Sequence, residues 1–219
     1  MLGVYNYTVV MTYAGLFFSY AGMHFILRSD YRSALLCLMI SGLFDMFDGT
    51  VARTKKDRTD AEKLFGIQID SMSDVICYGV LPAMFIVKMN GFHRFSDIIG
   101  GFYVLCAVIR LCYFNVDESF QQNASSDYVR KTYEGLPVTS VAIFLPLVFA
   151  LCKTFSFNLP AGGFEWRMER FGSAALALAG ICFITPFKLP KPNMAGKAVL
   201  ILLGLAELLF LLFFTGPKF

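Results

Sequence analysis

Four aspartates lie inside stretches of the sequence that are otherwise apolar: Asp45, Asp48, Asp70 and Asp74. A charged side chain at membrane depth costs about 2.5–3.5 kcal/mol on insertion scales. Four such side chains would cost on the order of 10 kcal/mol by simple addition, unless they are paired, hydrated or bound to metal. Acidic residues in this setting therefore indicate a functional site.

The spacing of the aspartates brings each pair onto one face of a helix. Asp45 and Asp48 are three residues apart, and Asp70 and Asp74 are four apart, which are the spacings of neighbours on a helix surface. A short connection makes the two helices antiparallel, so the four carboxylates are expected to converge near one membrane boundary. One or two divalent cations would relieve their repulsion, and oxygen-only ligands suit Mg²⁺ or Mn²⁺. Two metals in a phosphate site can hold both a pyrophosphate and an attacking oxygen.

Small residues and an arginine accompany the aspartates. Gly49 and Ala52 follow the first acidic pair, and Gly66 lies one turn before the second pair. These positions leave room for a planar or bulky group to approach the backbone, although close helix packing in a membrane explains Gly49 and Ala52 equally well. Arg53 shares the helix face of the first pair and can bind a phosphate oxygen bidentately.

The elements that must position these residues are membrane-spanning helices. Of the 219 residues, 57% are hydrophobic and 16% are charged, whereas soluble domains have about a quarter charged residues. A spanning helix needs about 20 mostly apolar residues. We predict an all-α integral membrane protein, a polytopic helical bundle of seven spans with six or eight as alternatives. The spans are Tyr5–Leu27, Arg32–Ala52, Phe65–Met89, Phe95–Phe114, Leu136–Cys152, Phe171–Phe187 and Ala195–Thr215.

The third span contains Gly79 and Pro82, and the sequence leaves open whether its helix continues to Met89. The net charge of +3 is too small to indicate nucleic-acid binding. Basic residues are concentrated between the second and third spans, and such a cluster favours the cytoplasmic side of a membrane. We expect the acidic site to face the cytoplasm.

The acidic and small residues together form the pattern Asp45-x2-Asp48-Gly49-x2-Ala52-Arg53, twelve residues, and Gly66-x3-Asp70-x3-Asp74. This pattern resembles the signature of the CDP-alcohol phosphatidyltransferase family at all of its fixed positions. The resemblance implies a single membrane-embedded catalytic domain over residues 1–219, with a core of six helices at about 5–187 and an additional helix at about 195–215. It also implies a homodimer whose active site is open to the cytoplasm.

The resemblance further implies roles for individual residues. The four aspartates would bind two Mg²⁺ or Mn²⁺ ions, and Asp74 would also act as general base on the acceptor hydroxyl. The nucleotide would be held by four residues: Gly49, Ala52, Arg53 and Gly66. The residues alone indicate the metal site, and only the resemblance names the CDP moiety.

Within this family, the chain resembles phosphatidylserine synthases. Those enzymes carry a run like F-G-x-x-L-D-S-L-x-D followed by F-G-x-x-P-A, and here residues 65–74 and 78–83 read FGIQIDSMSD and YGVLPA. They also carry R-L-x-R-F-N and a later G-L-P, which correspond to RLCYFN at 110–115 and GLP at 135–137. The resemblance implies CDP-diacylglycerol and L-serine as substrates in a multi-pass cell-membrane enzyme. The acceptor-binding residues would be Arg110, Asn115, Gly135 and Pro137.

One position departs from that pattern, because Tyr113 stands where a second arginine is usual. If that arginine holds the serine carboxylate, Arg110 must suffice here, or Arg130 or Lys131 substitutes. An aromatic residue also suits a quaternary ammonium, so choline is an alternative acceptor. Glycerol 3-phosphate, inositol phosphate, and CDP-archaeol with serine are further alternatives. A cation or proton transporter is the alternative from another class, but it predicts carboxylates along a path across the bilayer.

Overall fold

Apolar helices dominate the structure, a computed structural model that describes residues 3–124, 132–155, 168–190 and 194–213. In chain order the helices are α1 (Val10–Leu27), α2 (Tyr31–Thr54), α3 (Asp60–Asp74), α4 (Leu81–Met89), α5 (Arg94–Ala124), α6 (Val141–Phe155), α7 (Ser173–Ile184) and α8 (Met194–Phe213). Short 3-10 turns precede α1 and α6, and π-helical turns precede α4 and α7. Two strands, β1 (Thr132–Glu134) and β2 (Lys188–Pro190), pair antiparallel.

Five helical segments are long and apolar enough to cross a membrane: Tyr7–Leu27, Tyr31–Thr54, Asp60–Met89, Arg94–Asp117 and Val138–Phe155. Two shorter apolar helices cover Arg170–Ile184 and Val199–Phe213. Each of the seven predicted spans therefore contains a helix of the structure. The prediction of a polytopic helical membrane protein is confirmed. The short antiparallel pair formed by β1 and β2 was not predicted.

The loop between α2 and α3 is shorter than the sequence suggested. α3 begins at Asp60, ahead of the predicted start at Phe65, because Thr59 and Glu62 form a capping box. The Glu62 backbone N–H donates to Thr59 Oγ1 at 3.2 Å, and the Thr59 backbone N–H donates to Glu62 Oε2 at 2.9 Å. Such a box satisfies donors that the start of a helix leaves unpaired. The connection that remains, residues 55–59, holds α2 and α3 close together at this end.

The third predicted span continues as a helical rod through a π-helical turn at Val75–Val80 and into α4. Pro82 has no N–H to donate to the carbonyl of Tyr78, four residues earlier. The hydroxyl of Tyr103 on α5 donates to that carbonyl at 2.6 Å instead. The helix therefore reaches Met89, and a side chain from a neighbouring helix satisfies the backbone group that the proline leaves unpaired.

The fourth predicted span is longer in the structure than expected. We predicted an end at Phe114 and a polar loop after it, but α5 continues to Ala124. Residues 115–124 contain no glycine or proline, so the sequence lacks the residues that usually end a helix. The 31 residues of α5 reach about 46 Å at 1.5 Å per residue. A hydrocarbon core is about 30 Å thick, so α5 extends beyond it.

The bundle interior is filled by large apolar side chains from several helices. Fully buried examples are Ile26, Leu35, Leu38, Leu81, Phe85, Ile86, Tyr103 and Phe149. Small residues allow close helix approach, since a Cβ at Gly180 of α7 would lie 3.4 Å from the Cα of Tyr103. The outward faces also carry large apolar side chains, such as Phe17 and Phe95, which suits helices whose surroundings are lipid.

Candidate metal centre and active site

A small cavity between α1, α2, α3 and the π-helical turn gathers the acidic residues. Its lining includes the four predicted aspartates together with Thr12, Ser41, Ser73, Cys77 and Tyr78. Its volume of about 10 Å³ is roughly the room of one water-sized particle. The two acidic pairs therefore meet in one place, as their helical spacing predicted.

Three of the aspartates form a close group. Asp45, Asp70 and Asp74 each present a carboxylate oxygen, and the three oxygens lie within 4.8 Å of one another. Asp45 belongs to α2, and the other two share a face of α3. All three side chains are at least partly buried. Carboxylates at this separation repel strongly where water is scarce, so the group requires positive charge beside it.

The fourth aspartate, Asp48, lines the same cavity and is held from α1. The hydroxyl of Thr12 donates to Asp48 Oδ2 at 3.2 Å. Thr12 is itself buried, so this hydrogen bond fixes the carboxylate from inside the bundle. The site thus consists of a group of three carboxylates and a fourth one oriented by the first span.

The donor set fits a hard divalent cation. Carboxylate oxygens are preferred ligands of Mg²⁺ and Mn²⁺, and no histidine or cysteine belongs to the described group of three acids. With metal–oxygen distances of about 2.0–2.1 Å, two ligands of one Mg²⁺ lie at most about 4.2 Å apart. The three oxygens lie within 4.8 Å of one another, so binding of one ion by all three would require them to move closer by at most about 0.6 Å.

Serines beside the aspartates form a support that the sequence prediction missed. Ser19 Oγ donates to Ser41 Oγ at 3.0 Å, and Ser41 Oγ donates to the carbonyl of Gly15 at 3.0 Å. These bonds join α1 to α2 below the cavity, which Ser41 and Ser73 line. A serine one helical turn before Asp45 is a signal that would have identified Ser41.

The residues predicted to bind the nucleotide lie at the loop end of α2 and α3. Gly49, Ala52 and Arg53 belong to the last turns of α2. A Cβ at Gly49 would lie 3.9 Å from Nη1 of Arg53, and a Cβ at Gly66 would lie 2.7 Å from Nη2 of Arg58. Each of the two glycines is therefore faced by a guanidinium. The sequence predicted the first arginine and missed the second.

Asn115, which was predicted to bind the acceptor, is hydrogen-bonded to the helix that carries Asp70 and Asp74. Ser71 Oγ donates to Asn115 Oδ1 at 2.9 Å, which joins α3 to α5. Ser71 directly follows Asp70 in the sequence. Neither Ser71 nor Asn115 is among the described residues that line the acidic cavity.

Arg110 is held by backbone carbonyls and is not among the described residues that line the acidic cavity. It is buried, and it donates from Nη1 to the Phe183 carbonyl at 3.0 Å and from Nη2 to the Gly135 carbonyl at 3.4 Å. Gly135 has a φ of +70°, and a Cβ there would lie 2.7 Å from Arg110 Nη1. Glycine at 135 is therefore favoured for two reasons: it adopts the positive φ of this turn, and it has no Cβ that would clash with Arg110. These two predicted acceptor residues touch each other.

Pro137 follows that turn and begins the fifth span, where its carbonyl accepts a hydrogen bond from Ser140 Oγ at 2.6 Å. Tyr113, at the position that departs from the family pattern, has 55% of its surface exposed. The two basic residues considered as substitutes, Arg130 and Lys131, lie outside the described residues.

Comparison with known proteins agrees with the motif. Residues 5–213 match the family described as CDP-alcohol phosphatidyltransferase. The chain is 32% identical to the CDP-diacylglycerol–serine O-phosphatidyltransferase of Saccharomyces cerevisiae, over 77% of this chain and 60% of that protein. It is 28% identical to the protein of the same name from Helicobacter pylori, over 77% and 66%. It is 36% identical to the archaetidylserine synthase of Methanothermobacter thermautotrophicus, over 51% and 44%. The chain thus covers about two thirds or less of these relatives.

Proposed function

Since the chain belongs to the CDP-alcohol phosphatidyltransferase family, we propose that it transfers the phosphatidyl group of CDP-diacylglycerol to L-serine, giving phosphatidylserine and CMP. The observation that carries the proposal is the convergence of three aspartate oxygens within 4.8 Å, with Asp48 in the same cavity. The names of the yeast and bacterial relatives support serine as acceptor.

In this proposal Asp45, Asp48, Asp70 and Asp74 hold two Mg²⁺ or Mn²⁺ ions. When bound, such ions offset negative charge on the pyrophosphate and orient the reacting oxygens. The negative charge of the carboxylates favours the binding of divalent cations. Thr12 keeps Asp48 turned toward the cavity through its hydrogen bond.

The reaction requires a proton acceptor and compensation of charge on the leaving group. The serine hydroxyl attacks the β-phosphorus, which bears the lipid, and the bond from this phosphorus to the oxygen of CMP breaks. Asp74 takes the hydroxyl proton as general base. Arg53 donates to phosphoryl oxygens and to departing CMP. Gly49 and Ala52 leave room for the nucleotide beside the backbone of α2, and Gly66 leaves room for the Arg58 guanidinium beside the backbone of α3.

The acceptor side is assigned by the same proposal. Asn115 would bind the amino or carboxylate group of serine at the edge of the metal centre, where Ser71 fixes its amide. Arg110 would act mainly as a positioning residue, because it holds Gly135 and thereby the turn that leads to Pro137. We place this site on the cytoplasmic side, in a homodimer of single-domain subunits, as the resemblance implies.

The proposal is tested by CMP release from CDP-diacylglycerol by the purified protein with Mn²⁺ or Mg²⁺. We expect release that depends on serine and is abolished by a chelator, because the carboxylates would then lack their cations. Choline, glycerol 3-phosphate and inositol phosphate serve as competing acceptors, and CDP-archaeol as the competing lipid donor. If CMP is released with another acceptor, the phosphatidyl-transfer reaction would stand but serine would not be the acceptor. If folded protein releases no CMP with any acceptor, the proposal would be contradicted.

Replacing Asn115 by alanine is expected to raise the KM for serine about tenfold and to change kcat less, because one or two hydrogen bonds to the acceptor are lost. Ser71→Ala is the matched variant, since it removes the bond that orients Asn115 but leaves the amide in place. It should raise the same KM about threefold. Steady-state kinetics at saturating CDP-diacylglycerol measure both effects, and an unchanged serine KM in Asn115→Ala would refute this assignment.

A further inference from the structure

Arg58 lies in the loop between α2 and α3 and covers the backbone of Gly66. Its Nη2 atom lies 2.7 Å, and its Cζ atom 3.9 Å, from the point that a Cβ of residue 66 would occupy. Gly66 lies inside α3, where the backbone does not require glycine. A side chain at residue 66 would therefore displace the guanidinium from the position it has in this structure.

The guanidinium of Arg58 has an N–H donor without a hydrogen-bond partner among the described residues. Nη2 donates to the carbonyl of Glu62 at 3.2 Å. Nε is buried and has no hydrogen-bond partner among the described residues. A buried donor without a partner is uncommon in folded proteins and requires an explanation. An arginine carries five N–H groups in a planar fork that matches two oxygens of a phosphate.

The loop that carries Arg58 is fixed by Glu62. The Glu62 carboxylate accepts from Lys55 Nζ at 2.7 Å, from Asn6 Nδ2 at 2.8 Å and from the Thr59 backbone at 2.9 Å. The hydrogen bond to Glu62 also raises the pKa of Lys55, which keeps the ion pair charged. Both ends of the loop are thus bonded to Glu62 of α3, and Asn6 near the start of the chain bonds to the same carboxylate.

Arg58 and Arg53 are arranged in a similar way. Nη1 of Arg53 lies 3.9 Å from the Cβ position of Gly49, as Arg58 lies over Gly66. A nucleotide that approaches the two glycines therefore meets two guanidinium groups, that of Arg53 from the last turn of α2 and that of Arg58 from the loop before α3. Two arginines supply two positive charges, which matches a pyrophosphate better than a single phosphate.

We propose that Arg58 is a second nucleotide-binding residue, whose guanidinium binds a phosphate oxygen of the CDP moiety at Gly66. The inference rests on the proposed function. It adds to that function a residue outside the family motif, on the loop between Arg53 and Gly66.

The experiment measures binding of CDP to the purified protein in Mn²⁺ by calorimetry, with no lipid or serine present. Arg58→Gln removes the charge and the fork, and we expect the Kd for CDP to rise about tenfold, the lower range for a charged hydrogen bond. Arg58→Lys keeps the charge without the fork and should raise the Kd about threefold. Lys56→Gln removes an exposed charge from the same loop, and it should change the Kd less than twofold.

The control variant separates loss of a specific contact from loss of net charge. Equal weakening by Lys56→Gln and Arg58→Gln would overturn the proposal, and so would an Arg58→Gln variant that binds CDP as tightly as the parent protein. If Arg58→Gln does not fold, Arg58→Lys alone decides, and an unchanged Kd overturns the proposal. Parent protein that binds CDP but releases no CMP with serine would contradict the proposed reaction and leave Arg58 as a nucleotide ligand.

Discussion

Replacing Asp74 by asparagine is expected to lower kcat by about 10²–10⁴-fold, the usual contribution of a general base. Asparagine has nearly the same size and retains one oxygen, but it cannot accept the proton of the serine hydroxyl. Asp74 also belongs to the group of three oxygens within 4.8 Å, so the variant should bind Mn²⁺ more weakly. CMP release at saturating substrates, measured over a range of Mn²⁺ concentrations, separates the two effects.

Asp97→Asn is the matched control for this substitution. Asp97 is an exposed acid on α5 and is not among the described residues that line the acidic cavity, so we expect turnover within about twofold of the parent, as for most surface substitutions. If excess Mn²⁺ restored full turnover to Asp74→Asn, Asp74 would be a metal ligand only, and the base would lie elsewhere. A kcat near that of the parent at every Mn²⁺ concentration would reject both roles.

Replacing Arg110 by alanine is expected to destabilise the protein by about 2–5 kcal/mol, because the carbonyls of Phe183 and Gly135 lose a charged donor inside the bundle. For a chain of this size, a loss of that order lowers the Tm by about 5–15 °C. The guanidinium also lies 4.5 Å from the ring centroid of Phe114, and this contact is lost as well. Thermal unfolding in detergent measures the effect.

Arg94→Ala, at an exposed position at the start of the same helix, should leave the Tm nearly unchanged. Arg110→Lys keeps the charge, but a lysine cannot bond to both carbonyls at once. Its Tm should therefore lie between that of Arg110→Ala and that of the parent protein. An Arg110→Ala protein of unaltered Tm and a greatly raised KM for serine would show that Arg110 binds serine directly. That outcome would contradict the positioning role.

The acidic pairs could be predicted because each lies within one helix, where spacing alone determines the face. Asp45 with Asp48, and Asp70 with Asp74, required only helical periodicity and a short connection. Thr12 could not be predicted, because it reaches Asp48 from a different helix, 36 residues away in the sequence. Its contribution depends on how α1 packs against α2, which the local sequence does not specify.

The positions of the apolar helices were likewise predictable from the apolar runs, whereas several helix ends and contacts were not. The start of α3 depends on the Thr59 capping box, a local signal that we overlooked. The continuity of the helix at Pro82 depends on Tyr103, whose hydroxyl comes from α5. The hydrogen bonds from Arg110 to the carbonyls of Phe183 and Gly135 also leave no mark in the sequence, and its binding of the acceptor stays a prediction.

Among the described residues, all those that line the acidic cavity lie between Met11 and Tyr78. During synthesis these residues leave the ribosome together, before Arg94 begins α5. Contacts of modest sequence separation also form with little loss of chain entropy. A nascent chain that has emerged as far as Met89 therefore carries the complete set of cavity groups, while Asn115 and Gly135 of the acceptor side are still to be made.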